Sequence, residues 1–89
     1  MIYEKGTLVR SLAGHDKDEI FIIIYEEKEY VSLVDGKTRT LSKSKRKNKK
    51  HIQIIHDSQE KQRKALLKEQ ITDVQIKKFI QCYKRESQS

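Results

Sequence analysis

Eight lysines and arginines lie within fourteen positions of this chain, with no acid among them. They are Lys37, Arg39, Lys43, Lys45, Arg46, Lys47, Lys49 and Lys50. Outside this basic segment, residues 37–50, the remaining 12 of the 20 bases are matched by 13 acids, so the formal charge of +7 arises here. Clustered cations bind polyanions well, because each one that docks on a phosphate releases condensed counterions. Our leading hypothesis is therefore that the chain binds RNA.

Short runs of β-branched and aromatic residues surround this segment and predict five strands. The runs are residues 7–12, 20–25, 30–34, 37–41 and 51–55. Asp35 and Gly36 lie between the third and fourth runs, and this pair suits the positive φ angles of a two-residue hairpin turn. Because side chains two positions apart share one face of a strand, such a hairpin would present Lys37 and Arg39 together.

The predicted strands follow one another without helical crossovers, which favours antiparallel pairing. Five such strands in a chain of 89 residues predict a small SH3-like barrel. The run from Ile20 to Tyr25 is apolar without alternation, so we expect both of its faces to be covered. The expected fold class is therefore mainly β, with an α-helical part packed outside a five-stranded barrel.

The last third of the chain carries two helix starts. Asp57 or Ser58 can cap a first helix, and Glu60 would complete a capping box with Asp57. A second start is predicted at Thr72, with Gln75 at the third helical position. We therefore expect one or two C-terminal helices.

The second helix carries an apolar stripe at helical spacing, formed by Ile76, Phe79, Ile80 and Tyr83. We expect this stripe to cover the barrel core, and the alternative is a surface that docks on a partner protein. The chain would then divide into a barrel over residues 1–56 and a helical extension over residues 57–89 that packs on it.

Composition and motifs argue against catalysis. Hydrophobic residues make up 35% of the chain and charged residues 37%, so a deep cleft for a small-molecule substrate is hard to build. The sequence shows neither a nucleophile with a positioned base nor a glycine-rich phosphate loop. Three histidines and Cys82 lack the close pairing of zinc ligands. We expect no enzyme activity, no metal and no other cofactor.

The cysteine content and the hydropathy pattern indicate the cellular compartment. Cys82 is the only cysteine, which excludes an internal disulfide. No apolar run approaches the roughly 20 residues that cross a bilayer. A cytoplasmic protein without membrane contact is expected.

The first two predicted strands and the turn between them resemble a KOW motif. In KGTLVRSLAGHDKDEIFIII, an apolar strand centred on Leu8 and Val9 precedes a turn with Gly14 and Lys17, and a β-branched strand follows. The pattern continues through YVSLVDGKTRTLSKSKRKNKKHIQII to SQEKQRKALLKEQITDVQIKKFI. Almost the whole chain resembles the archaeal and eukaryotic large-subunit ribosomal proteins of the L-fourteen-e type. It resembles more closely the small bacterial KOW-domain RNA-binding proteins related to them.

This resemblance implies an SH3-like barrel of the KOW type that binds ribosomal or other structured RNA. The implied contacts come from Gly14, His15 and Lys17 in the first loop and from Lys43, Lys45, Arg46, Lys47, Asn48, Lys49 and Lys50. Asp18 stands where the motif normally has glycine, and Asp tolerates the left-handed backbone that the turn needs. Because Asp16, Asp18 and Glu19 bring negative charge to this loop, we place the binding first in the basic segment.

The candidate RNA-binding residues are Arg10, Lys17, Lys37, Arg39, Lys43, Lys45, Arg46, Lys47, Asn48, Lys49 and Lys50. The run from Lys43 to Lys50 contains no hydrophobic residue and no acid. We therefore expect its side chains to stay outside the core, unpaired with carboxylates and facing water or a ligand. The expected partners are RNA, above all ribosomal RNA, and ribosomal proteins.

The positions of the aromatic residues indicate whether a structured or a single-stranded RNA is expected. Phe21, Tyr25 and Tyr30 lie in predicted strands, where core packing is the expected role, so a structured RNA is a better target than a single strand. Two alternatives remain. The barrel or the helix stripe would also suit a protein-interaction adaptor, and the charge alone fits DNA as well as RNA.

Overall fold

The structure is a computed structural model that describes residues 3–87. One antiparallel sheet has the strand order β4-β3-β2-β1-β5, and two helices follow it. The strands are β1 Leu8–Ser11, β2 Ile20–Glu26, β3 Tyr30–Val34, β4 Lys45–Asn48 and β5 Ile52–Ile55. The helices are α1 Glu60–Glu69 and α2 Asp73–Ser87, and short 3₁₀ turns cover Leu41–Lys43 and Lys49–His51. The prediction of a mainly β fold with C-terminal helices is confirmed.

The sheet buries side chains on both of its faces. One apolar cluster joins the sheet to the helices and contains Leu8, Ile20, Ile22, Val34, Leu67, Ile76 and Ile80. The other contains Val9, Phe21, Ile23, Val31, Leu33 and Ile52, all of them from strands. Consecutive residues of β2 alternate between the two clusters, which explains its continuous apolar sequence. The expectation that both faces of this strand are covered is confirmed.

Helix α2 begins as predicted. The backbone N–H of Gln75 donates to Oγ1 of Thr72 at 3.1 Å, and the N–H of Thr72 donates to Oε1 of Gln75 at 3.1 Å. These reciprocal bonds form a capping box. Ile76 and Ile80 are buried in the cluster between sheet and helices, and Phe79 and Tyr83 pack against it. The stripe therefore packs on the sheet, as expected, and the alternative of a protein-docking surface stays a prediction.

The start of helix α1 differs from the prediction. Its first turn is preceded by Gln59, whose side chain makes no capping hydrogen bond. The carboxylate of Asp57 instead accepts two hydrogen bonds from the guanidinium of Arg63. The predicted capping box between Asp57 and Glu60 is wrong, because a charged partner inside the helix takes up the carboxylate.

The fourth strand lies later in the chain than predicted. Residues 37–41 form a turn rather than a strand, because Oδ1 of Asp35 accepts the backbone N–H groups of Lys37 at 2.9 Å and Arg39 at 2.8 Å. This side chain holds a wide turn that competes with a ladder. The strand that pairs with β3 is β4, Lys45–Asn48, inside the basic segment. The predicted two-residue hairpin, and the strand face with Lys37 and Arg39, are wrong.

The turn between β3 and β4, which we call the basic loop (residues 35–43), is fixed to the start of α2. Gly36 has a φ of +77°, and a Cβ at this position would overlap the carbonyl oxygen of Asp73 and lie 2.8 Å from the nitrogen of Lys77. The backbone N–H of Leu41 donates to Oδ1 of Asp73 at 2.8 Å. The loop therefore has a defined position on the helix.

The helices within residues 3–87 are all too short or too polar to cross a membrane. Helix α2, the longer of the two, has one apolar side and one charged side, and its apolar side packs on the sheet. The proposed division after residue 56 stays a prediction, and residues 1, 2, 88 and 89 of those two ranges lie outside the described part of the chain.

Candidate nucleic-acid interface

Strand β4 places its four polar side chains alternately on the two faces of the sheet edge. Lys45 and Lys47 lie opposite the buried Leu33 and Val31, whereas Arg46 lies opposite Ser32. Directly opposed residues of an antiparallel pair point to the same face. Lys45 and Lys47 therefore point to the side of the strand-only cluster, and Arg46 points to the other side.

Asp16, in the loop between β1 and β2, holds the inward pair of lysines. Its Oδ1 accepts hydrogen bonds from Nζ of Lys47 at 2.6 Å and from Oγ of Ser11 at 2.7 Å. Nζ of Lys45 lies 2.6 Å from Oδ2 in an ion pair whose geometry is not that of a hydrogen bond. Burial raises the pKa of the Asp16 carboxyl, but the two ammonium groups and the hydroxyl outweigh it and hold this pKa well below its usual range.

This arrangement corrects two expectations for the basic segment. Lys47 is only 9% exposed, and its Nζ also donates to the carbonyl oxygen of Ala13 at 2.7 Å. It is therefore a buried structural residue, although the segment was expected to stay out of the core. Lys45 and Lys47 also share the carboxylate of Asp16, a residue remote in sequence that folding brings to the edge strand, and it offsets one of their two charges.

Two further cations of the segment pair with the acidic turn between β2 and β3. Nε of Arg46 donates to Oε2 of Glu27 at 2.8 Å, and the guanidinium lies 3.7 Å from the ring centre of Tyr30. Nζ of Lys49 donates to Oε2 of Glu26 at 2.6 Å. The carboxylates of these pairs are exposed to solvent, and an exposed ion pair contributes about 0 to 1 kcal/mol. The expectation of an unpaired segment is wrong here too, but a phosphate can replace these carboxylates at low cost.

Six of the predicted residues form no ion pair with any residue from 3 to 87. They are Lys37, Arg39 and Lys43 in the basic loop, Lys50 after β4, Lys17 in the first loop and Arg10 in β1. Lys17, Lys37, Lys43 and Lys50 are exposed, and Arg10 and Arg39 are half-buried. Asn48, the remaining candidate, accepts the N–H of Lys50 through Oδ1 at 2.9 Å and so shapes the turn after β4.

Folding brings the first loop and the basic loop together. His15, Arg39 and Lys45 line a shallow cavity of about 200 Å³ between them. The first loop takes the predicted backbone, because Asp18 has a φ of +72° in the left-handed region. The two predicted parts of the site are therefore neighbours, and Asp16, Glu19 and Asp35 are acids that line the cavity between them.

Two cations that sequence reasoning did not select lie beside the basic loop. Lys77 and Lys84 of α2 line a groove of about 260 Å³ together with Lys37, and acids in the same groove are Glu19 and Asp35. Residues seven positions apart lie on one side of a helix, about 10.5 Å apart along its axis. The seven-residue spacing of Lys77 and Lys84 is visible in the sequence, but only the structure shows that it brings them beside the basic loop.

The aromatic residues follow the sequence prediction in part. Phe21 is buried, as expected. Tyr30 is half-buried beneath the guanidinium of Arg46. Tyr25 is 62% exposed, so its predicted core role is wrong. A shift of register in β2 between Ile23 and Tyr25 accompanies this exposure near the end of the strand.

Metal binding has no support among the described residues, which contain no group of three or more His, Cys, Asp or Glu side chains able to hold an ion. Cys82 is a free thiol between the helices, where its Sγ accepts a hydrogen bond from Nε2 of Gln59 at 3.2 Å. Searches against models of known protein families and against curated protein sequences found no match to this chain.

Proposed function

We propose that this protein is a non-catalytic RNA-binding module that docks on structured RNA through the basic loop and the solvent-facing side of β4. The observation that carries the proposal is the state of Lys37, Arg39 and Lys43. These three cations share one short loop and have no ion pair within residues 3–87. Glu19 and Asp35 lie near Lys37 and Arg39 but form no ion pair with them, so these cations remain available to a polyanion.

The fixed position of the basic loop supports binding as well. The Asp35 carboxylate orders the turn from inside, and Gly36 and Leu41 attach it to α2. A loop that is ordered before binding loses less conformational entropy when the ligand arrives. Lys37 also faces the groove with Lys77 and Lys84, so the positive surface extends onto α2.

The cations of β4, together with Lys49 just after it, divide into two roles in this proposal. Arg46 and Lys49 can exchange exposed carboxylates for phosphates. Lys45 and Lys47 keep their place beside Asp16, because removing cations from a buried carboxylate is costly. We therefore assign RNA contact to the first pair and structural support of the edge strand to the second.

The choice of RNA rests on the resemblance to KOW proteins, because charge alone does not separate RNA from DNA. An antiparallel five-stranded sheet with helices on one face is compatible with an SH3-like barrel of the KOW type. Ribosomal RNA in the cytoplasm is the partner that this resemblance favours. Tighter binding to an RNA hairpin than to a DNA hairpin of the same sequence, at the same salt concentration, would support it.

The test removes the three loop cations together. The variant Lys37→Gln, Arg39→Gln, Lys43→Gln should bind a structured RNA more weakly and with a shallower salt dependence. Each phosphate contact adds about −0.7 to −0.9 to the slope of log affinity against log salt, so the slope should become shallower by about 2 to 3. Filter binding over a series of salt concentrations measures both quantities.

A matched variant separates the site from the total charge. Lys5, Lys61 and Lys68 are exposed and have no ion pair in the described chain. Replacing these three with Gln removes the same net charge, and we expect this variant to keep most of the affinity and slope. Equal losses in the two triple variants, or wild-type binding that does not depend on salt, would contradict the proposed site.

A further inference from the structure

Tyr25 is an aromatic side chain that the folded core does not use. It lies near the end of β2, is 62% exposed, and belongs to neither apolar cluster. An exposed ring has two faces on which a planar ligand can stack. A flat aromatic face suits any nucleobase, because every base has a π surface.

The neighbours of Tyr25 form a row across three strands. Tyr25 pairs with Ser32 of β3, and Ser32 pairs with Arg46 of β4. These three side chains point to the same face of the sheet. Two strand spacings, about 10 Å, separate the backbones of Tyr25 and Arg46, and the side chain between them is the small Ser32.

The ring of Tyr30, the second tyrosine of this region, is already covered by a cation. Tyr30 lies two positions before Ser32 and so shares its face of β3. The guanidinium of Arg46 covers its ring at 3.7 Å and is held there by Glu27. Among residues 3–87, no cation lies on the ring of Tyr25, and Arg46 adds positive charge beside it.

We propose that Tyr25 stacks on an unpaired nucleobase of the bound RNA, above Ser32 and beside Arg46. This inference rests on the proposed RNA-binding function and adds the chemical class of a second contact. Phosphates dock on the cations at the sheet edge, and one base that has left the helical stack lies on the sheet face. The target is then a structured RNA with an exposed loop or bulge rather than a continuous duplex.

Two RNA probes separate stacking from charge. One is a hairpin whose stem closes a loop of unpaired nucleotides, and the other is a blunt duplex with the same stem sequence. The variant Tyr25→Leu should lose about 5- to 150-fold in affinity for the hairpin, the range that one lost base stack gives. Its affinity for the duplex and its salt slope should stay those of the wild type, because no cation is removed.

The variant Tyr25→Phe keeps the ring and should bind the hairpin as the wild type does. Leu66→Ala is the control for an exposed apolar side chain elsewhere, on α1, and should change neither affinity. Thermal unfolding should show that Tyr25→Leu stays folded, since the side chain packs in neither cluster.

The possible outcomes are distinct. A Tyr25→Leu variant that binds the hairpin like the wild type, or that weakens on both probes equally, overturns the stacking contact and leaves the proposed function intact. A wild-type protein that binds neither probe overturns the proposed function and the stacking contact together.

Discussion

Arg63 of α1 and Asp57, six positions before it, form a bidentate ion pair inside the protein. Nη1 and Nη2 of Arg63 donate to the two carboxylate oxygens of Asp57 at 2.9 and 3.0 Å, and Nε donates to the carbonyl oxygen of Gly6 at 2.6 Å. The Arg63 side chain is completely buried. One guanidinium therefore ties the first helix to the start of the sheet and to the connection after β5.

Removing this guanidinium should strongly destabilise the fold. Arg63→Met leaves the Asp57 carboxylate buried without its cation, and we expect a loss of about 3 to 5 kcal/mol in the free energy of unfolding. Urea unfolding followed by circular dichroism measures it. Lys61→Met changes an exposed cation on the same helix and should cost under about 0.5 kcal/mol. A loss for Arg63→Met as small as that of the control would mean that the buried pair does not stabilise the protein.

The carboxyl of Asp16 should make stability depend on pH in the acid range. Its pKa in the folded protein is well below the usual value of 3.8, so the unfolded chain binds its proton at a higher pH than the folded one. This contribution is complete above the unfolded pKa and is lost as the pH falls towards the folded pKa. We expect the free energy of unfolding of the wild type to fall on acidification from about pH 5 to pH 3.

Asp16→Asn removes the titrating group, so its stability should fall less steeply over the same acid interval. The variant should also be less stable at neutral pH, because Lys45 and Lys47 lose their carboxylate. Urea midpoints at several pH values test both statements. Parallel acid slopes for wild type and variant would show that Asp16 keeps an ordinary pKa.

Glu27 should compete with RNA for Arg46. Because the carboxylate occupies the guanidinium at 2.8 Å, a phosphate must displace it. Glu27→Gln should therefore tighten RNA binding, by up to about fivefold for an exposed ion pair worth at most about 1 kcal/mol. Glu69→Gln removes an exposed acid on α1 that has no ion pair in the described chain, and it serves as the control. Weaker binding by Glu27→Gln would show that this carboxylate positions Arg46 for RNA instead of blocking it.

Four strands and the second helix were predictable because local sequence determines them. The β-branched runs of β1, β2, β3 and β5 carry a strong strand preference, and their ends agree with the structure to within one residue. The capping box of Thr72 and Gln75 is a local interaction over three positions, so a sequence pattern is enough to find it.

Strand β4 was not predictable in this way. Its sequence, Lys45–Asn48, has no apolar residue and no hydrophobic alternation, and it forms because β3 offers a free edge. The preceding TRTL sequence has the better strand composition, but the side chain of Asp35 holds that stretch in a turn. Tertiary pairing and one local hydrogen-bonding side chain together outweighed strand preference.

The charge balance of the candidate site was not predictable from the sequence. Counting charges along the segment misses Asp16, Glu26 and Glu27, which are 19 to 31 positions from the partners that they bind. Arg63 binds both Asp57, six positions away, and Gly6, 57 positions away, and the second contact has no local signal. Such pairs depend on the fold, so they become visible only in three dimensions.

The position of β4 at the border of the sheet has a consequence for solubility. A border strand exposes unpaired backbone groups that can add a strand from another molecule, and charged side chains along it are a common protection against such aggregation. We expect the partly exposed charges of Lys45 and Arg46 to oppose edge-to-edge pairing between copies of the protein.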